Sequence, residues 1–233
     1  MSRQVAIDGP VAVGKSTIAR LLAQRLGFLY VDTGAMYRAA ALLALESGVD
    51  PEDEEGVAAL LREHRITLTQ PTEDEQDGRK ITVGLDGKDV SWAIRTEVVS
   101  KASSIVAQHA SVRQQLVRQQ QAIAAEQDVV MEGRDITFRV LPDAELKIFL
   151  TANDEKRAAW RHEEQLLRGQ NVSIDDIMIE LRERDRRDMS RDVDPLHVTE
   201  DAWDLDRSDL NLDEVLDLIE KRAEKLWQTS SEK

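Results

Sequence analysis

The stretch that decides the fold is Val5-Ala6-Ile7-Asp8-Gly9-Pro10-Val11-Ala12-Val13-Gly14-Lys15-Ser16-Thr17, near the start of the chain. Its first three residues form an apolar run typical of a buried strand, and a helical pattern begins after Lys15. Between this strand and this helix lies G-x-x-x-x-G-K-[ST], the pattern of a P-loop. A P-loop needs this position in order to bind phosphate. Backbone N–H groups of such a loop converge on a phosphate, and the helix points its positive end at the anion. The stretch therefore predicts a nucleoside triphosphate site.

The P-loop residues have expected roles in binding ATP. Lys15 should reach the β- and γ-phosphates and act in catalysis, and the Ser16 hydroxyl should hold the Mg²⁺ that accompanies ATP. The ATP-binding residues predicted in this way are Gly9, Pro10, Val11, Ala12, Val13, Gly14, Lys15, Ser16 and Thr17.

The composition restricts the class of protein. The 233 residues, 41% hydrophobic and 33% charged, suit a soluble globular chain with one α/β domain or two small ones. No apolar run approaches the ~20 residues of a membrane helix, and the N-terminus lacks a signal-peptide core. The absence of cysteine excludes disulfides, thiolate catalysis and Cys-ligated zinc. We therefore expect a cytoplasmic protein that does not associate with membranes.

The charge restricts the partners. A net charge of −14 argues against a nucleic-acid-binding surface, which needs basic stripes. A small anionic substrate stays possible if arginines are gathered locally, and no obligatory protein partner is evident. The four histidines show no metal-ligand spacing.

Further strands and helices alternate along the chain. Apolar runs predict strands at Phe28–Val31, Val129–Met131, Leu146–Leu150 and Ala202–Leu205, with helical patterns between them. Such alternation predicts an α/β fold with a five-stranded parallel sheet flanked by helices, and ligands bind at the carboxyl ends of its strands.

One region departs from this alternation. Ile66–Thr69 and Ile81–Val83 read as antiparallel strands, and Asp86-Gly87 is a hairpin signal. The acidic segment 73–78 between these strands should be a solvated tip. Just before this insert, Asp50-Pro51 predicts a helix N-cap followed by proline at the first helical position.

Polar segments follow the predicted strands at the ligand-binding edge. They are Asp32 to Arg38 and Glu132 to Asp135, and an arginine-dense helix capped by Ser173 lies further on. Its arginines are Arg182, Arg184, Arg186, Arg187 and then Arg191. A solvated face with an Arg184–Asp188 pair would explain such a run, but downstream of a P-loop a phosphate-binding role is favoured.

Two other P-loop classes can be compared with the chain. A regulatory GTPase should carry Asn-Lys-x-Asp, and the sequence has none. An ATPase motor should have an apolar strand that ends in Asp; the third strand ends in Glu132 instead, which leaves this class open. Glu132 could equally support the metal or the loop.

The chain resembles bacterial cytidylate kinases, which act on CMP and dCMP, over nearly its whole length. The resemblance rests on the P-loop, on Asp32-Thr33-Gly34-Ala35-Met36-Tyr37-Arg38, on Gly133-Arg134-Asp135-Ile136 and on the spaced arginines from Arg184 to Arg191. The P-loop alone is shared by many enzymes, whereas the combination is far more specific.

The resemblance implies an adenylate-kinase-like sheet with a small antiparallel monophosphate-binding insert and a short lid. The chain would form a single kinase unit, with a core at 1–64 and 96–233, the insert at about 65–95 and the lid at about 155–192. It implies Arg184 and Arg191 as catalytic residues beside Lys15. The implied CMP-binding residues are Thr33, Arg38, Ser104, Arg113, Arg134, Asp135, Asp188 and Arg191.

Two segments depart from the family pattern. The P-loop interior is Val11-Ala12-Val13, where the family usually has smaller residues, and Thr137-Phe138-Arg139 replaces the typical Gly-Thr-Val. Backbone donors form the phosphate site, so phosphate binding should survive the first change.

The implied activity is transfer of the γ-phosphoryl group of ATP·Mg²⁺ to CMP or dCMP, in pyrimidine nucleotide metabolism. A kinase for another monophosphate such as UMP, and a regulatory P-loop protein without transferase activity, are the alternatives.

Overall fold

The structure, a computed structural model, describes residues 2–75, 77–167 and 169–231. The chain divides into two compact units, one of residues 1–3 and 23–131 and one of residues 4–22 and 132–233. Of the predicted lid, Arg168 lies outside the described residues.

The strands form two sheets. They are β1 (Gln4–Asp8), β2 (Leu29–Asp32), β3 (Ile66–Thr69), β4 (Thr82–Leu85), β5 (Lys88–Asp89), β6 (Val129–Glu132), β7 (Leu146–Thr151) and β8 (Trp203–Asp206). The larger sheet is parallel, with the order β2-β6-β1-β7-β8, and the smaller has the order β3-β4-β5.

The helices flank the larger sheet in the sequence order that alternation predicts. They are α1 (Lys15–Leu26), α2 (Thr33–Glu46), α3 (Glu54–Glu63), α4 (Glu97–Val106), α5 (Ala110–Glu126), α6 (Asp154–Leu167), α7 (Ile174–Ser190) and α8 (Leu212–Ser231). Among the described residues, no helix combines the length and apolar composition needed to cross a membrane.

The parallel sheet confirms the predicted α/β fold. In β1, Val5 to Ile7 are fully buried, as their uninterrupted apolar run predicts for a strand covered on both faces. β1 pairs in parallel with β7, and β7 pairs in parallel with β8. The carboxyl end of β1 therefore leads directly into the P-loop.

The antiparallel insert is confirmed as a three-stranded sheet in the first unit. Ile66 lies opposite Leu85, and the predicted hairpin Asp86-Gly87 turns with φ values of 50° and 81°. The acidic segment 73–78 contains Gln76, which lies outside the described residues. Whether the insert binds a monophosphate stays a prediction.

Two helix ends differ from the sequence prediction. The N-cap of α3 is Asp53, whose carboxylate accepts a hydrogen bond from Gly56 N at 3.0 Å; the prediction of Asp50 was wrong. Asp53 caps the helix because its own side chain reaches the N–H three residues on. Helix α7 begins after the predicted cap Ser173 and ends at Ser190, so Arg191 follows the helix in an extended conformation.

Candidate active site

The P-loop conformation depends on its two glycines. Gly9 has φ +151°, and a Cβ there would lie 2.2 Å from Leu150 O. Gly14 has φ +88°, and a Cβ there would lie 2.2 Å from Arg207 Nη1. A side chain at Gly9 would clash with the backbone, and the positive φ at both positions favours glycine, so the backbone can turn from β1 into the first turn of α1.

Lys15 is enclosed by its own loop. Its ammonium donates to Pro10 O at 2.7 Å, and the residue is 5% exposed. Burial, followed by the positive charge of Arg134, lowers the pKa of Lys15 to about 7. Glu132, Asp188 and Asp8 act in the opposite direction without cancelling these effects. An anion bound here would favour the protonated amine.

Ser16 and Glu132 provide adjacent oxygen atoms. The Ser16 hydroxyl donates to Glu132 Oε1 at 2.7 Å, and Glu132 is buried at the end of β6. A hydroxyl and a carboxylate are ligands suited to Mg²⁺, which commonly combines one or two protein oxygens with phosphate oxygens. Among the described residues no group of three or more His, Cys, Asp or Glu could hold a metal alone. The site thus fits a metal that arrives with a phosphate.

Arginines gather around Asp188. Arg134 Nε donates to Asp188 Oδ2 at 2.7 Å. Burial would raise the pKa of Asp188, but the charges of Arg134, Arg184 and Arg191 outweigh it and lower that pKa. Asp188 therefore pairs with Arg134, and the solvated Arg184–Asp188 pair is not the main arrangement. Arg134, Arg184 and Arg191 therefore lie near one another around Asp188, and Arg134 and Asp188 both act on the Lys15 ammonium.

Arg191 is oriented by the turn that follows α7. Its guanidinium donates to Asp194 O, with Nε at 2.7 Å and Nη2 also in contact. Asp194 has φ 47°, and its carboxylate lies 3.7 Å from Arg139 Nε. The backbone of this turn thus restricts where the Arg191 side chain can point.

One ion pair binds the P-loop backbone on both sides of Val11. Val11 N donates to Asp185 Oδ1 at 2.9 Å, and Arg157 Nη1 donates to Val11 O at 3.0 Å. Arg157 Nη1 also donates to Asp185 Oδ2 at 2.6 Å, and its Nη2 donates to Asp154 at 2.6 Å. Helices α6 and α7 are therefore tied to the loop through its main chain.

Apolar packing at the same place accounts for the unusual P-loop interior. Val11 and Ala12 pack against a buried cluster of Ala158, Ile177 and Leu181 from α6 and α7. Smaller residues at these two positions would leave part of that cluster uncovered. The departure from the family pattern thus adds apolar contact between the loop and the two helices.

The other departure, at Thr137, also has a structural explanation. Asp8 is fully buried and accepts hydrogen bonds from Ile136 N at 3.0 Å, Thr137 N at 2.8 Å and Thr137 Oγ1 at 2.7 Å. Burial raises the pKa of Asp8, and the charge of Asp135 adds to this. A glycine at position 137 would lack the hydroxyl donor. Thr137 thereby connects the Gly-Arg-Asp segment to the end of β1.

Asp135 begins the short π-helical turn Ile136–Val140. It is buried, and its carbonyl accepts from Arg139 N at 2.9 Å. Its influence on the pKa of Asp8 places the two carboxylates close together. The structure therefore brings together the second-unit candidates Lys15, Ser16, Arg134, Asp135, Asp188, Arg184 and Arg191.

The remaining candidates belong to the first unit. Thr33 is buried at the start of α2, where Asp32 caps the helix by accepting from Ala35 N at 3.0 Å. Arg38, one turn further along, is half-buried and makes no side-chain hydrogen bond or ion pair with any residue that the structure describes.

Arg113 and Ser104 differ in their surroundings. Arg113 is 2% exposed, with Nη1 donating to Ala107 O at 3.1 Å and Cζ 5.5 Å from the ring centroid of Tyr37. Ser104 is exposed, and its hydroxyl donates to Ser100 O at 3.3 Å within α4. Arg113 thus has a structural role in this unit, whatever else it contacts.

Sequence reasoning missed Arg157 and Asp185. Asp185 was visible only as one acid among the lid arginines, and Arg157 only as a cation three residues after Asp154. That i,i+3 spacing indicates a local pair, but no pattern indicates a bond to Val11.

Asp185→Ala should lower the free energy of unfolding by about 2 to 3 kcal/mol, because it leaves Arg157 buried with only Asp154 as counter-charge. Urea denaturation monitored by circular dichroism measures this loss.

Arg182→Ala is the matched control. Arg182 also lies on α7 and pairs with Asp154, but its side chain is 62% exposed, so the change should be within about 1 kcal/mol. Equal losses in the two variants would show that the Val11 contact does not stabilise the fold.

Comparison with known proteins agrees with this geometry. The family model described as "Cytidylate kinase" matches residues 5–225. The chain is 46% identical over 225 residues to the cytidylate kinase of Bacillus licheniformis, covering 95% of this chain and 97% of that protein. It is 44% identical to that of Bacillus subtilis (94% and 96% covered) and 48% identical to that of Pelotomaculum thermopropionicum (94% and 95%).

A solved structure supports the fold independently. An uncharacterized protein from Eubacterium ventriosum aligns over 97% of this chain and 99% of its own, with a TM-score of 0.52 at 12% identity. Such a low identity bears on the fold alone, whereas the sequence relatives cover almost the full length at more than 40% identity. With its P-loop, Gly-Arg-Asp segment and lid arginines, the chain belongs to the cytidylate kinase family.

Proposed function

We propose that this chain transfers the γ-phosphoryl group of ATP to CMP or dCMP, giving ADP and CDP or dCDP. The observation that carries the proposal is the cluster of Lys15, Arg134 and Asp188, with Arg184 and Arg191 close enough to lower the Asp188 pKa. A P-loop supports triphosphate binding, and membership of the family supports CMP or dCMP as the acceptor. We place the reaction in the cytoplasm.

The triphosphate would lie on the P-loop. The backbone of Gly9 to Thr17 would bind its oxygens, with Lys15 leaving Pro10 O to reach the β- and γ-phosphates. Ser16, supported by Glu132, would hold Mg²⁺ together with phosphate oxygens. When bound, this ion would neutralise charge on the β- and γ-phosphates.

The arginines would stabilise the transferring group. Its transition state spreads charge over three equatorial oxygens, so positioned cations contribute more than covalent chemistry does. Arg184 and Arg191 would supply such charge, and Asp188 would orient Arg134 toward it. The acceptor phosphate has its second pKa near ~6 and is already ionised at neutral pH, so no catalytic base is needed.

By motif, membership of the family supports Arg134, Asp135, Asp188 and Arg191 as residues that bind the acceptor. It supports Thr33, Arg38, Ser104 and Arg113 in the same way. Cytosine presents an amino donor that a carboxylate such as Asp135 can accept, whereas uracil presents an oxygen there. We therefore expect CMP to be preferred over UMP by a large factor, up to about 10⁴.

A coupled assay of ADP release with ATP, Mg²⁺ and a panel of monophosphates tests the function. We expect rapid turnover with CMP and dCMP, slow turnover with UMP, and a loss of about 10²–10³ in kcat for Lys15→Ala with the fold intact.

The alternatives predict other outcomes. Preference for UMP would indicate a different monophosphate kinase. Binding of ATP without transfer to any monophosphate would indicate a regulatory P-loop protein, and both results would contradict the proposal.

The pKa of Lys15 predicts how ATP binding depends on pH. The amine has a pKa of about 7 without ligand, and bound phosphate should raise it, so ATP binding takes up a proton above pH 7. Affinity should then be greatest below pH 7 and fall by about tenfold or more between pH 7 and pH 9.

Calorimetry at pH 8 in two buffers of different ionisation enthalpy measures the proton uptake. Lys15→Arg is the control, since guanidinium stays charged over this range and should take up no proton. If Lys15→Arg took up as many protons as the wild type, the proton would be bound by a group other than Lys15.

A further inference from the structure

An arginine that no motif marks contacts the backbone of the P-loop. Arg207 follows β8, and its Nη1 donates to Val13 O at 3.2 Å. The same atom occupies the space that a side chain at Gly14 would need, 2.2 Å from the Cβ position. Arg207 is 7% exposed, so its guanidinium is held against the loop.

This guanidinium has an aromatic partner. Its Cζ lies 4.0 Å from the ring centroid of Trp160, a cation–π contact. In the part of the chain that the structure describes, no carboxylate pairs with Arg207. Its neighbour Asp206 accepts hydrogen bonds from the N and Oγ of Ser208 instead, at 2.8 Å and 2.6 Å.

Burying the Arg207 guanidinium without a paired carboxylate costs free energy. No acceptor among the described residues contacts the buried Arg207 Nε, and burial lowers the pKa of Arg207, although a guanidinium stays protonated in proteins. Arg157, which also contacts the loop, has two carboxylates. A buried cation without a counter-ion is costly unless a charge of opposite sign approaches it.

We propose that Arg207 is a positioning residue for the triphosphate that acts from behind the P-loop. It fixes the Val13 carbonyl, so that the N–H groups of the loop face the ligand, and its uncompensated charge attracts the polyphosphate chain. This inference rests on the proposed function in one respect, the presence of a triphosphate on the loop.

The proposal makes binding depend on the charge of Arg207 and not on the nucleobase. Removing one such charge in a partly buried site should weaken polyphosphate binding by about tenfold. The factor should be similar for ATP and for inorganic tripolyphosphate, because both place phosphates on the loop and only ATP carries a base.

The experiment uses Arg207→Gln, which can still donate to Val13 O but lacks the charge, and Arg207→Lys, which keeps the charge. Calorimetry gives the Kd of ATP and of tripolyphosphate at low and high salt, and thermal denaturation gives the Tm. Arg207→Gln should raise both Kd values about tenfold, with a smaller difference at high salt; Arg207→Lys should stay within about threefold of the wild type.

Three results would overturn the proposal. Weaker ATP binding with unchanged tripolyphosphate binding would mean that Arg207 contacts the base. A lower Tm with both Kd values unchanged would mean a structural role only. If Arg207→Gln does not fold, Arg207→Lys decides the question, because it keeps the charge. A tenfold or larger rise of its Kd for tripolyphosphate would contradict a role for the charge.

Failure of the proposed function is a separate result. If the wild type binds ATP and tripolyphosphate without transferring phosphate to CMP, the transfer assignment fails. The dependence of binding on Arg207 would still be measured.

Discussion

The backbone of Val11 is hydrogen-bonded on both sides by the Arg157–Asp185 ion pair, and helices α6 and α7 are attached to the P-loop through this contact. A P-loop binds phosphate with main-chain groups, so its usefulness depends on a backbone held in one conformation. Here the two glycines permit that conformation, while Arg157 and Asp185 restrict it from outside. The apolar cluster beneath Val11 and Ala12 reinforces the same contact.

The same contact connects the phosphate loop to the arginines. Asp185 lies on α7, three residues before Asp188, which pairs with Arg134. Helix α7 thus has one acid bound to the loop and another bound to the Gly-Arg-Asp segment. Asp188 holds Arg134 beside it through a direct ion pair, and a cation held in place by protein groups needs less reorganisation to bind a highly charged ligand.

Periodicity and motif spacing predicted the fold because they report local constraints. An uninterrupted apolar run such as Val5–Ile7, followed by a glycine turn, is typical of a strand covered on both faces, and Asp86-Gly87 is typical of a tight hairpin turn. The cap of α3 was misplaced because several acids lie near its start, and only geometry decides that Asp53 reaches the free N–H.

Contacts between distant residues were beyond sequence reasoning. Arg157 and Asp185 are 28 residues apart, and Arg207 and Val13 are 194 apart; charge alone does not identify such partners. Resemblance to the family supplied Arg134 and Asp188 by motif, but not that they would pair with each other. The role of Thr137 likewise follows only from the structure, in which its hydroxyl donates a hydrogen bond to Asp8.

Amide hydrogen exchange at Val11, followed by NMR in the ligand-free protein, tests most directly whether the loop is held before ligand binds. A hydrogen bond to Asp185 that persists in solution should slow exchange of this amide by about 100-fold or more relative to an unstructured peptide. Exchange as fast as in an unstructured peptide would contradict the account, because the loop would then be unrestrained by α6 and α7.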